Sequence, residues 1–302
     1  MLCAAIDIGS NTTRVLVAEP VEGQLKKVME QRAYTRINKA LDADGAIEQP
    51  KIHEVGEVVA TQVRLAEELG AQVIRPVATA AIRDARNRDE VIHAISEVSG
   101  VEVEVLSEKE EGRLSFIGAT KTLGHPVKGR IGVVDVGGGS TEVILGTIGR
   151  GVEAVRSWPV GSGALADELL ERDPPSPSEI RKVRDRIDDL FAGVEIEQPD
   201  HAVAVGGSAT SLRRLVGAVL EYETLERGIR VLSGDPIADV ARRFELDPQR
   251  VRILPTGVLL LEKLSELLGQ PLQIGKGGLR EGVILDLLNG SVNGSSPEAV
   301  AA

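Results

Sequence analysis

The sequence contains the same short turn twice. Residues 6–17 read I-D-I-G-S-N-T-T-R-V-L-V, and residues 134–145 read V-D-V-G-G-G-S-T-E-V-I-L. Aligned without a gap, the two segments superimpose Asp7 on Asp135, Gly9 on Gly137, Thr12 on Ser140 and Arg14 on Glu142. Aliphatic residues before and after each turn predict two β-hairpins. Two equivalent hairpins in the two halves of one chain predict two lobes that close on one phosphate chain.

The residues of these turns suit phosphate and metal chemistry. An acidic residue at the end of a strand, followed by hydroxyls and free backbone N–H groups, can hold a phosphate and its cation. The candidate phosphate-binding residues are Ser10, Asn11, Thr12, Gly137, Gly138, Gly139, Ser140 and Thr141, and the candidate metal ligands are Asp7, Asp135 and Glu142. The alternative is a pair of tight surface hairpins with exposed acids, in which Arg14 would face solvent.

Composition limits the function further. A formal net charge of −11 argues against a duplex nucleic-acid binder, which usually carries a basic face. A phosphate site in such a chain must therefore collect its cations locally, and the sets Arg32, Arg36, Lys39 and Arg83, Arg86, Arg88 are candidates, although either could be a solvated surface. Aromatic residues make up 2%, which slightly favours phosphate recognition over base stacking. The sequence has no apolar run of membrane-spanning length and only one cysteine, Cys3, so we expect a soluble, cytoplasmic protein.

Hydrophobic periodicity predicts alternating strands and helices in each half. Strands are predicted at residues 2–8, 14–18, 24–35, 73–78, 101–106, 130–136, 141–148, 152–159, 202–205 and 272–274. Helices are predicted at 51–69, from an Asp89 cap to Gly100, and at 108–123, 162–172, 178–192, 209–219, 235–244, 256–268 and 279–288. Residues 79–88 are predicted to form a loop. The fold class is therefore α/β, with a cleft between two lobes.

Three further segments carry candidate chemistry. Glu110 and Glu111 open a helix, and one of them could orient and deprotonate water, although spacing alone favours helix capping. Arg83 follows a strand and could neutralise a transferred phosphoryl group or simply pair with Asp84 or Asp89. Gly207 and Ser208 lie in a G-G-S turn before a helix, a weak anion-binding signal. The four histidines have no metal-ligand spacing.

Several strings together resemble one family. They are A-A-I-D-I-G-S-N-T-T-R, A-T-A-A-I-R-D-A-R-N, S-E-K-E-E-G-R, V-V-D-V-G-G-G-S-T-E, V-G-G-S-A-T and G-L-R-E-G-V-I. In this order they resemble the exopolyphosphatase / guanosine pentaphosphate phosphohydrolase family, over about residues 1–288. The resemblance implies two ribonuclease-H-like lobes of the actin, sugar kinase and Hsp70 ATPase superfamily. We expect the lobes at 1–124 and 125–278, a helix at 279–288 packed back on the first lobe, and a disordered tail at 289–302.

The resemblance also implies roles by position. Glu111 matches the catalytic glutamate of the family, Arg83 matches its arginine on the loop that faces the cleft, and Asp135 and Glu142 match the acids near the metal. We therefore expect Mg²⁺-dependent (or other divalent cation-dependent) release of terminal phosphate from polyphosphate. The alternatives are removal of the 5′ γ-phosphate of guanosine pentaphosphate (pppGpp) and non-hydrolytic binding of polyphosphate or (p)ppGpp. A homodimer is a further expectation.

The sequence departs from the family pattern in two places. Arg36-Ile37-Asn38 stands where the family often has R-L-G, and Gly275-Lys276 replaces its S-D. Long members add a C-terminal region related to HD phosphohydrolases, and we expect no such region here. We therefore do not expect the extended polyphosphate tunnel attributed to long members.

Overall fold

Each half of the chain forms a sheet in which five strands have the same order, and the second sheet has one further strand at its edge. The computed structural model describes residues 1–21 and 24–293, and side chains up to residue 287. The first half contains β1 (Cys3–Ile8), β2 (Thr13–Val21), β3 (Gln24–Ala33), a 3₁₀ turn (Ile37–Ala40), α1 (Gln49–Glu68), β4 (Val73–Ala78), α2 (Ala80–Arg83), α3 (Arg88–Ser99), β5 (Glu104–Val105) and α4 (Glu108–Lys121). Its sheet has the order β3-β2-β1-β4-β5.

The second half repeats this arrangement and adds helices to it. It contains β6 (Ile131–Val136), β7 (Thr141–Thr147), β8 (Gly151–Trp158), α5 (Ser162–Leu169), α6 (Pro177–Leu190), β9 (His201–Val205), α7 (Gly206–Val216), β10 (Val219–Leu220), α8 (Tyr222–Gly234), α9 (Ile237–Phe244), α10 (Pro248–Leu268), β11 (Leu272–Ile274) and α11 (Leu279–Asn293). Its sheet has the order β10-β11-β9-β6-β7-β8. The predicted α/β fold with two lobes is therefore confirmed.

Strand register shows how closely the two hairpins correspond. Asp7 pairs with Arg14 across β1 and β2, and Asp135 pairs with Glu142 across β6 and β7. A register shift follows at Val17/Ala18 in the first lobe and at Leu145/Gly146 in the second. These bulges fall on equivalent positions of the two aligned segments, so the duplication extends beyond the turn.

Helices α4 and α11 join the lobes. Leu114 on α4 packs in a core with β1, β2 and α11, whereas Phe116 and Ala119 pack on the second sheet. Gly118 lies so close to α11 that an added Cβ would be 1.9 Å from the carbonyl oxygen of Gly278. The approach of the two helices carries Glu111, in the first turn of α4, to the cleft between the sheets.

Several sequence predictions were wrong in detail. The predicted loop at 79–88 contains α2, α3 begins at Arg88 after Asn87 at its N-cap position, and only Glu104–Val105 of the strand predicted at 101–106 pairs with β4. Helix α8 was not predicted, although its buried Leu225, Ile229 and Leu232 have helical spacing.

Helix boundaries account for the remaining differences. Helix α10 starts at Pro248 and contains Pro255, which reads as a breaker in the sequence. Because most of α10 is buried, its packing outweighs the hydrogen bond that proline removes. Helix α11 runs to Asn293, beyond its predicted end at residue 288, and residues 294–302 of the predicted tail lie outside the described residues. None of the described helices is both long and apolar enough to cross a membrane.

Candidate active site in the cleft between the lobes

The two turns have the same internal geometry and face each other. The backbone N–H of Gly9 donates to the carbonyl of Thr12 at 3.1 Å, and that of Gly137 donates to Ser140 at 3.0 Å. A Cβ added to Gly138 would lie 2.6 Å from the Cβ of Asn11. The lobes therefore meet at these two turns, and glycine at position 138 permits this contact.

Both turns offer backbone donors to the cleft. Within the described chain, the N–H groups of residues 10–12 and 138–140 make no backbone hydrogen bond. The second turn is supported from behind by α5, where the N–H groups of Ser162 and Gly163 donate to the carbonyls of Gly137 and Gly138 at 2.9 Å. The α5 N-terminus is thus occupied within the fold, and the free donors of the turns remain available for an anion.

Several carboxylates line the cleft, and four of them are acids that the sequence analysis had selected. Asp7, Glu111, Asp135 and Glu142 all line the cleft, which has a volume of about 430 Å³. Burial and the nearby Asp7 raise the pKa of Asp135 to about 6. Burial, together with Glu111 and Asp135, raises the pKa of Glu142 well above its usual range. Mutual repulsion of buried carboxylates at one place is typical of a site that binds a cation or transfers protons.

Glycine is required beside one of these acids. Gly206 opens α7 with φ +81°, and a Cβ there would lie 2.2 Å from Oδ1 of Asp135. A side chain at position 206 would therefore displace the Asp135 carboxylate or the start of α7. Glycine at position 206 thus leaves room for the Asp135 carboxylate.

Glu111 is held by Arg83. Nη1 of Arg83 donates to Oε2 of Glu111 at 2.6 Å and to the carbonyl of Leu106 at 3.3 Å. Burial, together with the charges of Asp7 and Asp135, raises the pKa of Glu111 to about 7 against the opposing effect of Arg83. Glu110 instead pairs with Arg113 at 2.7 Å. Of the two candidate glutamates, only Glu111 faces the cleft.

A cationic wall, which the sequence only partly indicated, faces the acids. The basic residues that line the cleft are Arg14, Lys27, Arg32, Arg214, Arg250, Lys276 and Arg280. Arg14 does not face solvent as the alternative suggested, since its side chain is only 13% exposed and pairs with Glu30 at 3.2 Å. Burial, with Arg280 and Arg32 nearby, lowers the pKa of Arg14 to about 9. Packed cations of this kind favour an anionic ligand.

Arg250 is a deeply buried cation of this wall. Its side chain is 6% exposed, its buried Nε has no hydrogen-bond partner, and no carboxylate in the described part of the chain forms an ion pair with it. Its guanidinium lies against Gly207, where a Cβ would be 2.6 Å from Nη2. Burial and Arg32 lower the pKa of Arg250 to about 10. No sequence motif pointed to this residue.

Some predicted site residues lie away from the cleft. The hydroxyl of Thr141 is buried and donates to the carbonyl of Val160 at 2.6 Å. The hydroxyl of Ser208 is buried and donates to Ser162 at 3.3 Å. Arg83 lies behind Glu111 and is not among the residues that line the cleft. Those that do line it are Asp7, Ser10, Asn11, Thr12, Glu111, Asp135, Gly137, Gly138, Gly139, Ser140, Glu142 and Gly207.

Most of the basic residues proposed from charge runs are used elsewhere. Lys39 pairs with Asp167, Arg86 with Asp44 and Arg88 with Asp89. Arg32 is the one member of the two proposed sets that lines the cleft. Charge runs in the sequence are therefore a poor guide to the cations of this site.

The donor set fits a divalent cation that keeps much of its water. Asp135 and Glu142 are paired neighbours on β6 and β7, and Oε1 of Glu142 accepts from Ser157 at 3.1 Å. Among the described residues, no group of three or more His, Cys, Asp or Glu side chains forms a complete metal-binding site. Mg²⁺ typically uses one or two carboxylates, substrate phosphates and water, which agrees with this arrangement.

Comparison with known proteins identifies the family. The profile of the Ppx/GppA phosphatase family matches residues 16–290. The chain belongs to this family. It is 29% identical to Exopolyphosphatase 1 of Mycobacterium leprae over 98% of this chain and 92% of the relative. It is also 29% identical to Exopolyphosphatase 2 of Mycobacterium tuberculosis over 94% and 96%.

Solved structures agree with this assignment. The Ppx/GppA family member of Aquifex aeolicus has a TM-score of 0.80 at 27% identity, covering 98% of this chain and 99% of that one. An exopolyphosphatase of Cytophaga hutchinsonii has a TM-score of 0.83 at 18% identity, covering 96% and 98%, a likeness that shows the fold alone. The whole two-lobe architecture is therefore shared with this family.

Proposed function

We propose that this Ppx/GppA protein is an exopolyphosphatase, which hydrolyses the terminal phosphoanhydride of inorganic polyphosphate. The observation that carries the proposal is the meeting of the two turns, with free N–H donors on both, beside a buried glutamate. Relatives named exopolyphosphatase that match over nearly the full chain support it.

The reaction needs a nucleophile, a base and charge stabilisation. In the proposed step, the water oxygen bonds to the terminal phosphorus and the bond from phosphorus to the bridging oxygen breaks. Glu111 takes the water proton, and orthophosphate and a polyphosphate shorter by one unit leave. The N–H groups of residues 10–12 and 138–140 hold the phosphoryl oxygens, and Arg83 orients Glu111.

Asp135 and Glu142, with Asp7 through water, would hold the divalent cation. When bound, the cation supplies positive charge to the phosphoryl oxygens. Ser157 orients Glu142 through its 3.1 Å hydrogen bond. Arg14, Arg32, Arg250 and Arg280, four of the basic residues that line the cleft, would face the internal phosphates.

The cleft favours phosphate over a base. None of the residues that line it in the described chain is aromatic, whereas bases are commonly held by stacking on aromatic rings. We therefore rank polyphosphate above guanosine pentaphosphate. Arginine planes can also stack on a purine, so the nucleotide stays the alternative substrate.

The test is phosphate release with Mg²⁺, measured side by side on tripolyphosphate, long-chain polyphosphate, guanosine pentaphosphate and ATP. We expect the highest kcat/KM on a polyphosphate. A higher kcat/KM on guanosine pentaphosphate would reverse the ranking of substrates. Binding of polyphosphate without release of phosphate would contradict enzymatic function and favour a polyphosphate sensor.

A further inference from the structure

The lobes also touch at a second place, outside the two turns. Residues 36–39, here called the crossing segment, follow β3 in the first lobe. Nη2 of Arg36 donates to Oε1 of Gln249 at 2.8 Å, and Nζ of Lys39 lies 2.6 Å from Oδ2 of Asp167. Gln249 belongs to α10 and Asp167 to α5, so both contacts cross to the second lobe.

The crossing segment is fixed to the first turn. The N–H of Arg36 donates to the carbonyl of Asn11 at 3.0 Å, and that of Asn38 donates to the carbonyl of Ser10 at 3.1 Å. Ile37, between them, is completely buried. A movement of this segment relative to the second lobe must therefore move the first turn with it.

The backbone of Arg36 is unusual for its residue type. It has φ 48° and ψ 48°, the left-handed region that non-glycine residues seldom occupy because of steric strain. This conformation lets one residue bond the first turn with its backbone and the second lobe with its side chain. The strain requires compensation from such contacts.

The acceptor on the second lobe is itself fixed in place. Oδ1 of Asp167 accepts from Nη1 of Arg252 at 2.6 Å, while Oδ2 faces Lys39. Helix α5, which carries Asp167, also supports the second turn, through hydrogen bonds from its first residues to the carbonyls of Gly137 and Gly138. The ion pair between Lys39 and Asp167 thus connects the crossing segment, which is bonded to the first turn, with α5, which is bonded to the second turn.

We infer that the crossing segment is an interlobe latch, and that Asp167 is a positioning residue that keeps the two turns together before substrate arrives. This inference rests on the proposed function, because the closed turns are the proposed substrate site. Loss of the latch lowers the population of the closed state. Apparent affinity falls in proportion to that population, while kcat at saturation is retained because bound phosphate closes the lobes.

The test variants are Asp167→Ala and Lys39→Ala, with Asp185→Ala as the matched control. Asp185 is an exposed aspartate of α6 in the same lobe. Spin labels on cysteines placed at the exposed positions Glu67 and Glu223, one in each lobe, report the interlobe distance. Cys3 is the only natural cysteine and is completely buried, so it does not compete for label.

We expect Asp167→Ala to broaden the distance distribution toward longer values without ligand, and tripolyphosphate to restore it. KM for tripolyphosphate should rise about three- to ten-fold, with kcat changed less than about two-fold. Lys39→Ala should give a similar effect, and the double variant should be less than additive. Asp185→Ala should change neither KM nor the distance.

Three outcomes would overturn the latch. If the interlobe distance and KM are unchanged in both Asp167→Ala and Lys39→Ala, the ion pair between Lys39 and Asp167 does not hold the lobes together. A changed distance with unchanged KM would remove the positioning role. A fall in kcat alone would place Asp167 in the chemical step. If the wild-type protein hydrolyses no polyphosphate, the proposed function fails, but the interlobe distances measured without ligand still test the latch. If Asp167→Ala does not fold, Lys39→Ala replaces it, because the Lys39 side chain is half exposed.

Discussion

At the scale of residues, the character of Glu111 comes from its neighbours. Its side chain is 14% exposed, and burial raises its pKa to about 7 against the opposing effect of Arg83. A carboxylate of this kind is a stronger base than an exposed one and is still partly ionised near neutral pH. The role proposed for Arg83 is therefore to position Glu111 and tune its pKa.

This role predicts a change in pH dependence for Arg83→Ala. Only the ionised carboxylate can accept the water proton, so kcat/KM rises with pH through the pKa of Glu111. Removing the cation that favours the ionised form raises this pKa, and the acidic limb of the profile should move to higher pH. At pH 6 we expect kcat/KM to fall about ten-fold or more, because a pKa higher by about one lowers the ionised fraction by that factor. The measurement is kcat/KM against pH.

Arg88→Ala is the control, because Arg88 is exposed and, among the described residues, forms an ion pair only with the neighbouring Asp89. Arg83→Lys should restore part of the activity on the acidic limb. Lysine keeps the positive charge near Glu111 but loses the hydrogen bond that Arg83 donates to the carbonyl of Leu106. An Arg83→Ala profile that is lower at every pH but not displaced would contradict the tuning role.

The sequence pointed to the anionic half of this site better than to the cationic half. Asp7, Asp135 and Glu142 stand next to glycine turns, so local pattern reveals them. Arg250 is brought to the cleft by the packing of α10, a helix more than 100 residues after the second turn, and no local pattern encodes that approach. Arg280 lies within the G-L-R-E-G-V-I string, which is the one sequence signal that could have indicated it.

At the scale of elements, the crossing of α4 and α11 sets the position of Glu111. Gly118 and Gly282 allow backbone-to-backbone contact. A Cβ on Gly118 would lie 1.9 Å from the carbonyl oxygen of Gly278, directly before α11, and a Cβ on Gly282 would lie 1.9 Å from that of Leu114 in α4. The two helices cannot easily move apart, because α4 also packs on both sheets. The glycines are therefore required by the contact between helices and not by a turn.

We predict that Gly118→Ala destabilises the protein, although alanine is the better helix former. Overpacking at a rigid backbone contact should cost about 3 kcal/mol of unfolding free energy, measured by urea denaturation. Gly149→Ala is the control, because no atom of the described chain, apart from its two chain neighbours, lies within 4 Å of its added Cβ. Equal stability of the two variants would show that the helices separate easily.

Element prediction succeeded where the local pattern and the packing agree. Both hairpins have alternating or aliphatic strands around a glycine turn, and both form. Strand β5 is short because only Glu104 and Val105 reach β4, a property of the sheet edge that its residues do not encode. The predicted start of α10 is too late, because Pro255 was interpreted as a helix boundary. Burial of the helix compensates for the hydrogen bond that proline removes.

At the scale of the whole molecule, duplication is the feature that the sequence predicted most completely. The aligned segments predicted two equivalent lobes, and the structure adds matching bulges and matching turn hydrogen bonds. The relative placement of the lobes was not predictable from these segments. It depends on α4, α11 and the crossing segment, which have no counterpart in the repeated turn.

The central claim is that Glu111 activates water for attack on a phosphate held between the two turns. The most direct measurement is single-turnover phosphate release from tripolyphosphate with Mg²⁺ by Glu111→Gln, with binding of tripolyphosphate measured in parallel. Glu102→Gln, an exposed glutamate of the same lobe, is the control. We expect release by Glu111→Gln to fall by about 10²–10⁴-fold with binding retained within about three-fold. Release by Glu111→Gln at the rate of Glu102→Gln would contradict the account.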